Sequence, residues 1–413
     1  MRFVIGTVVV AWAATACGER GGTAELGSET RDSAGIRIVE NARPPDGSRL
    51  GWKVDSVPSV TIGELEGDDS YLLHQVRDAM QLSDGRIVVA NRGSQELRVF
   101  DASGVHLATW GRRGEGPGEF SSLLAVAPWP GDSLIAWYSQ QDRLSVFDLE
   151  GNFGRAFVPG DPGDLRNSVE AVSAQGTIVV SSRFTTGEAA LQDGLVRRER
   201  QHEVVDAEGQ LVTSLGVHPD AEMYTSISGD QDSYRFNITS IPFTRLIRTA
   251  VWAGRFVVAP NDNYEIRAYG REGTLDLIVR RDHALIQPTP AHRDAYIERR
   301  VAARPPEEQA ERRRTLRERL ADLPMAETFP AFDEIVADAL GHLWVREYDL
   351  PGEERTKPLW TLFDPEGRVL GFVETPPGLR IHEIGESHIL GRATDSLGVE
   401  YVQVWPLNRA PPN

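Results

Sequence analysis

The sequence predicts an all-β fold, a six-bladed β-propeller. Three observations carry it: a strand-and-turn unit that recurs along the chain, a second apolar strand at a fixed place ahead of each copy, and an N-terminal strand matching the one that the C-terminal unit lacks. The unit is plainest where Leu97-Arg-Val-Phe-Asp101-Ala-Ser-Gly104 is followed 47 residues later by Leu144-Ser-Val-Phe-Asp148-Leu-Glu-Gly151. Looser copies end at Asp206-Ala-Glu-Gly209, Gly270-Arg-Glu-Gly273 and Asp364-Pro-Glu-Gly367. Each is a strand ending in a tight turn, where Asp bonds the backbone ahead and Gly takes positive φ.

The upstream strands are Gly85-Arg-Ile-Val-Val, Asp132-Ser-Leu-Ile-Ala-Trp137, Gly176-Thr-Ile-Val-Val, Gly254-Arg-Phe-Val-Val and Gly341-His-Leu-Trp-Val. With one β-rich segment before each and one after each turn, every unit has the four strands of a propeller blade. Blades are expected at about 76–111, 123–158, 169–216, 246–281 and 331–373, with a last unit of three strands at 380–407. Val60-Thr-Ile-Gly63-Glu-Leu-Glu-Gly67 resembles the first blade's exit, Ala108-Thr-Trp-Gly111-Arg-Arg-Gly114. The N-terminal strand is therefore expected to complete the last blade and hide two sheet edges. A single ring over 57–407 replaces the two or three domains that 413 residues would allow. Residues 18–56 are expected to be a flexible tether and 408–413 a tail.

Two links between blades, 217–245 and 282–330, are far longer than a propeller needs, and loops of this length are usually functional or disordered. The first carries Met223, Tyr224, Tyr234, Arg235 and Phe236. The second is expected to be helical over about 288–327. Tyr296, Ile297 and Val301 recur at helical spacing, Pro305-Pro306 interrupts, and Leu316, Leu320 and Leu323 form a second stripe. It would serve as a lid over the central channel or as a docking arm.

Charge narrows the partners. Lys and Arg number 44 against 61 acids, a net charge of −17, which argues against binding duplex nucleic acid through its phosphates. Lys53 and Lys357 are the only lysines, so Schiff-base chemistry is not expected. Met1–Cys17 reads as an export signal: Arg2, then 12 mostly apolar residues from Phe3 to Ala14, too few to span a bilayer. Cys17 is the only cysteine, which excludes an intramolecular disulfide and leaves no cysteine nucleophile in the ring.

Aligning the units on their second-strand glycines places Asp78, Glu170, Arg248, Glu334 and Arg380 near the channel mouth, with Arg77 and Arg245 close by. Carboxylates mixed with guanidiniums suit a small polar or charged ligand, since Arg bonds carboxylate or phosphate bidentately. No nucleophile elbow, zincin helix, phosphate loop or dinucleotide fingerprint appears. The nearest metal-like clusters are His382-Glu383-Ile-Gly-Glu386-Ser-His388, and Asp230 with Asp232. A propeller can also gather single ligands from several blades, for which Asp78, Glu170, Asn261 and Glu334 are the candidates.

Two stretches resemble known families. Ala14-Thr-Ala16-Cys17-Gly18 resembles a bacterial lipobox, which implies lipidation of Cys17 and residence on the cell envelope. Gly18-Glu19 lacks the Asp that commonly marks inner-membrane retention, which points to the outer membrane, facing the periplasm or the cell surface. Gly111-Arg-Arg-Gly114-Glu-Gly116-Pro117-Gly118-Glu-Phe120, with Asp132-Ser-Leu-Ile-Ala and Asp142-Arg143-Leu-Ser-Val-Phe147-Asp148, resembles the NHL-repeat branch of six-bladed propellers over roughly 85–158. Where that repeat has an acid after its second strand, this chain has Asn91 and Tyr138. The expected function is a lipid-anchored, non-catalytic binding or scaffold module for an envelope protein or a small polar ligand, without a cofactor. The alternative is a hydrolase or lyase using a divalent metal at the channel mouth. Single-stranded RNA binding, known in some NHL-repeat proteins, conflicts with the acidic charge and the export signal.

Overall fold

The computed structural model of the chain describes residues 27–138, 143–160, 167–182, 193–228 and 235–409. Six sheets follow one another, each begun by an innermost strand: Val76–Gln81, Leu123–Trp129, Asn167–Val172, Ile247–Trp252, Phe332–Ala337 and Arg380–Ile384. The first blade continues through Ile87–Asn91, Glu96–Phe100 and His106–Trp110, each strand antiparallel to the last. The fold is a β-propeller.

The recurrent turns explain why the strands reverse where they do. Asp101 Oδ1 accepts from the amides of Ser103 (2.8 Å) and Val105 (2.9 Å), while Gly104 sits at φ 89°. Asp148 with Gly151 and Asp364 with Gly367 repeat the arrangement. The turns are exposed, and the apolar strands they join pack blade against blade.

The core is accordingly spread over the interfaces between blades. Leu97, Val99 and Trp110 of the first blade meet Phe120, Leu123, Leu134 and Phe147 of the second. Similar clusters join the second to the third, the third to the fourth, the fourth to the fifth and the fifth to the sixth. Leu390, Val402 and Val404 of the sixth meet Ile62, Val76, Val89 and Phe100. Ile62 arrives there because Val60–Ile62 pairs antiparallel with Glu400–Asn408, Val402 opposite Ile62. Phe120 of the Gly-Pro run is fully buried in the first of these interfaces, and Asn91 uses its side chain on the amide of His74 and on Ser94.

Helix α1 (Pro290–Ala302) and helix α2 (Pro306–Leu320) occupy the link after the fourth blade. Thr289 caps α1 by accepting from the His292 amide, Pro290 opens its first turn, and Glu307 and Glu308 stand in the first turn of α2, where the helix dipole favours acids. Ile297, Val301, Leu316 and Leu320 bury against one another. Tyr296 ties the pair to Phe243, Phe329 and Tyr348 on the rim.

Three expectations need correction. The segment read as a tether contains a hairpin, Ser28–Ser33 and Ile36–Asn41, whose second strand runs parallel to Leu275–Arg281 and widens the fourth sheet to six strands. Its Val39, fully buried in the interface between the fourth and fifth blades, supplies the reason. Lys53–Val54, further along the same segment, pairs with Leu407–Asn408. The link 217–245 is largely strand: Leu211–Ser228 runs on beside Gly194–Val205, and Arg235–Ser240 pairs back onto it. The tail also carries a fixed residue, Arg409, which donates to Asp338 (2.6 Å) and lies over the Trp52 ring. Cys17 and the lipobox, Tyr234, and Asp230 with Asp232 lie outside the described residues.

Candidate functional site

In five of the six innermost strands the pairing ladder skips residues near the strand start. Arg77 lies between the pairs Val76–Asn91 and Asp78–Ala90, and Leu124 between Leu123–Tyr138 and Ala125–Trp137. Glu170 lies between Val169–Val180 and Ala171–Val179, and His382 between Ile381–Gly391 and Glu383–Leu390. In the fifth blade, Asp333 and Glu334 lie between Phe332–Glu347 and Ile335–Val345. A bulge restores residues three apart to the same face of a strand and re-aims the residue between them. Thus Val76 and Ala79, Leu123 and Val126, Phe332 and Ile335, and Ile381 and Ile384 are all buried, while Arg77, Asp78, Asp333, Glu334 and His382 between them line cavities. The fourth blade has no shift there and presents Arg248 from a regular ladder.

Two cavities result. One, of about 630 Å³, is lined by Glu170, Arg248, Asp333, Glu334, Arg346 and Arg380, among others. The other, of about 410 Å³, is lined by Arg77, Asp78, Leu124, Glu334, Arg380 and His382, among others. They share Glu334, Ile335 and Arg380, and six of the seven residues named from the sequence line one or the other. Arg245 lies outside both linings and is held by Glu222 and Asp262.

Within the larger cavity most charges have partners. Arg248 donates through Nε to the Asp333 carbonyl and lies 3.6 Å from its carboxylate, while Arg346 lies 3.5 Å from Asp333 and 4.0 Å from Glu334. Glu170 accepts from Ser181 Oγ at 2.6 Å and from Arg200 at 3.3 Å. Burial pushes the Glu170 carboxyl above its ordinary range, with Ser181 and Arg200 opposing; burial likewise raises Glu334 against the pull of Arg346.

The smaller cavity is organised around Asp78. Its carboxylate accepts from the amides of Ala79 (3.0 Å) and Val126 (3.2 Å) and lies 3.1 Å from His382 Nδ1. The His382 side chain is 4% exposed, and its Nε2 has no hydrogen-bond partner. Arg77 and Arg380 form no hydrogen bond or ion pair through their side chains among the described residues, and Arg77 Nε is buried. Burial lowers the Arg77 pKa, and the guanidiniums of Arg92, Arg380 and Arg392 lower it further.

Among the described residues, the metal ligands suggested by the sequence at 382–388 and at Asp78, Glu170, Asn261 and Glu334 do not come together. His382 turns to Asp78 while His388 pairs with Glu383 (3.2 Å), because the bulge at His382 separates neighbouring side chains. Asn261 spends its side chain on the Leu246 amide and the Phe332 carbonyl. Among the described residues no three His, Cys, Asp or Glu side chains are grouped to hold a metal. Asp333, Arg346 and the cavity role of His382 escaped the sequence analysis. The apolar spacing of three within the strands, which betrays the bulges, was the signal available.

A family model described as a 6-bladed beta-propeller, DUF5128, matches residues 50–156, which include the first two blades. No curated protein matches the sequence. Among solved structures, a member of the duf4221 family from Bacteroides vulgatus is similar at 8% identity and TM-score 0.49, over 87% of this chain and 99% of that one. A candidate exported protein from Bacteroides fragilis gives 12% and 0.47, over 90% and 99%. The virginiamycin B lyase from Staphylococcus aureus gives 8% and 0.35, over 86% and 99%. Likenesses this distant transfer no activity, ligand or cellular address. The propeller assignment rests on the sheets of this chain and on the family model.

Proposed function

We propose that this chain is a closed six-bladed propeller of the NHL-repeat kind, lipidated at Cys17 and held on the bacterial envelope. In this reading its channel mouth binds a small polar ligand without transforming it, or docks an envelope protein. The observation that carries the binding role is the set of bulges: four blades release Arg77, Glu170, Asp333 with Glu334, and His382 into one polar region, and a fifth adds Arg248. The lipobox resemblance supports the address. Among the described residues no helix is long and apolar enough to cross a membrane.

The test is the thermal midpoint of the protein against a panel of polar small molecules, with and without EDTA. A ligand that binds only the folded ring raises the midpoint by mass action. Binding is expected to weaken in Glu170→Gln and Arg248→Gln. The raised carboxyls of Glu170 and Glu334 suit general acids, which supports a second reading, a metal-dependent hydrolase or lyase. That reading requires EDTA to lower the midpoint by several degrees and Glu170→Gln or Glu334→Gln to abolish turnover. The anchor is tested separately: Cys17→Ser must release the protein from the membrane fraction.

A further inference from the structure

We propose that the cavity bordered by Arg77, Arg380 and His382 is a receptor for an oxyanion, the carboxylate or phosphate group of a small solute, gripped by the two guanidiniums. The proposal deepens the ligand-binding reading above and rests on it.

Arg77 and Arg380 are charge left over. Around the mouth nearly every other arginine already has an acid: Arg248 and Arg346 have Asp333, Arg200 has Glu170 and Asp220, and Arg392 has Glu400. The acid nearest Arg77 in sequence, Asp78, is occupied by two amides and His382. Arg77 and Arg380 remain without a hydrogen bond or ion pair among the described residues, although the chain carries 61 acids against 44 bases. A bulge holds Arg77 at the cavity, and its Nε is buried. Burying a cation beside other cations is unfavourable, and an anion placed between them offsets that cost.

His382 is the independent sign of a missing ligand. Its side chain is almost wholly buried, Nδ1 lies 3.1 Å from an Asp78 oxygen, and Nε2 has no partner although buried nitrogens nearly always have one; with the proton on Nδ1, Nε2 is an acceptor and suits an O–H carried by the ligand's phosphate or carboxyl group. Guanidinium groups present paired N–H donors that match the two oxygens of a carboxylate or phosphate. Glu334 also borders this cavity, and Arg346 lies 4.0 Å from its carboxylate. The cavity of about 410 Å³ and that of about 630 Å³ are neighbours that share Glu334, Ile335 and Arg380 in their walls, so the oxyanion can be the end group of a larger polar molecule.

The test uses the full chain at constant ionic strength, with inorganic phosphate and succinate as anionic probes, glucose as the neutral probe and spermidine as the cationic one. Isothermal titration and the thermal midpoint are the readouts. A saturable response to phosphate or succinate is expected, with affinity falling about tenfold or more in Arg77→Gln and in Arg380→Gln. Arg380 is exposed and unpaired, so its variant retains the fold even if the half-buried Arg77 site does not. Equal responses in wild type and both variants would mean general salt stabilisation and would overturn the proposal. Saturation by glucose or spermidine alone would also overturn it, while leaving the ligand-binding reading intact. Silence from all four probes in a folded protein would remove the oxyanion site and weaken the small-ligand reading with it.

Discussion

His382 Nδ1 lies 3.1 Å from Asp78 Oδ1, so the sixth blade grips the first through two side chains bordering one cavity. Asp78 also takes the Val126 amide, and with it a strand of the second blade. One carboxylate thus serves three blades. Asp78→Ala is expected to lower stability by roughly 2–3 kcal/mol, because two amides lose their acceptor and the His382 ring loses its carboxylate neighbour. Urea denaturation measures this, and an unchanged midpoint would show that the carboxylate is dispensable to the ring.

A second pair should set stability between pH 6.5 and pH 4. The rings of His202 and His218, 5.2 Å apart, are buried where the third blade meets the fourth, and burial lowers both to about 4. The folded pKa is depressed, so the contribution is present in full above the unfolded value near 6.5. It is lost as pH falls toward 4, since the unfolded chain takes up protons first. Two such rings give a slope approaching about 2.7 kcal/mol per pH unit within that window. Denaturation midpoints measured across it should show a slope nearly halved in His218→Gln.

A lower window belongs to Asp338. Burial raises its carboxyl, but hydrogen bonds from His342, Trp344 and Arg409 outweigh that and hold it at about 2. Its stabilisation is therefore present above pH 4 and disappears as pH falls through 2. Asp338→Asn should cost about 2 kcal/mol at pH 7, with the gap to wild type closing in strong acid. A constant gap from pH 7 to pH 2 would mean that the loss is steric rather than electrostatic.

The helical insertion should loosen on its own. Leu316 is fully buried between α1 and α2, away from the interfaces between blades. Leu316→Ala should cost about 2–5 kcal/mol of local stability. Hydrogen exchange should quicken over 290–320 while Ile87–Asn91 and Leu343–Glu347 stay protected. Equal loss of protection in those strands would show that the helices and ring unfold as one unit.

Much of the propeller was legible because its signals are local. The D-x-x-G turns work through an aspartate bonding amides two and four residues ahead, a relation contained within five residues, as Asp101 and Asp364 show. The helical stripe of Ile297, Val301, Leu316 and Leu320 was equally visible, since each pair lies one turn apart. The hairpin Ser28–Asn41 was misread as a tether because its short, mostly polar strands acquire a purpose only beside Leu275–Arg281, more than two hundred residues away.

The same division runs through the candidate site. By itself the sequence determined the order of the strands within each blade and the strand that meets the last one, because a repeat carries its geometry from one copy to the next. Only the tertiary structure decided which charges keep a partner. Asp333 takes up Arg248 and Arg346, His382 turns to Asp78 and away from His388, Asn261 is spent on backbone, and Arg77 and Arg380 are left over. Pairing falls off steeply over a few ångströms, and a one-residue bulge moves a side chain by more than that.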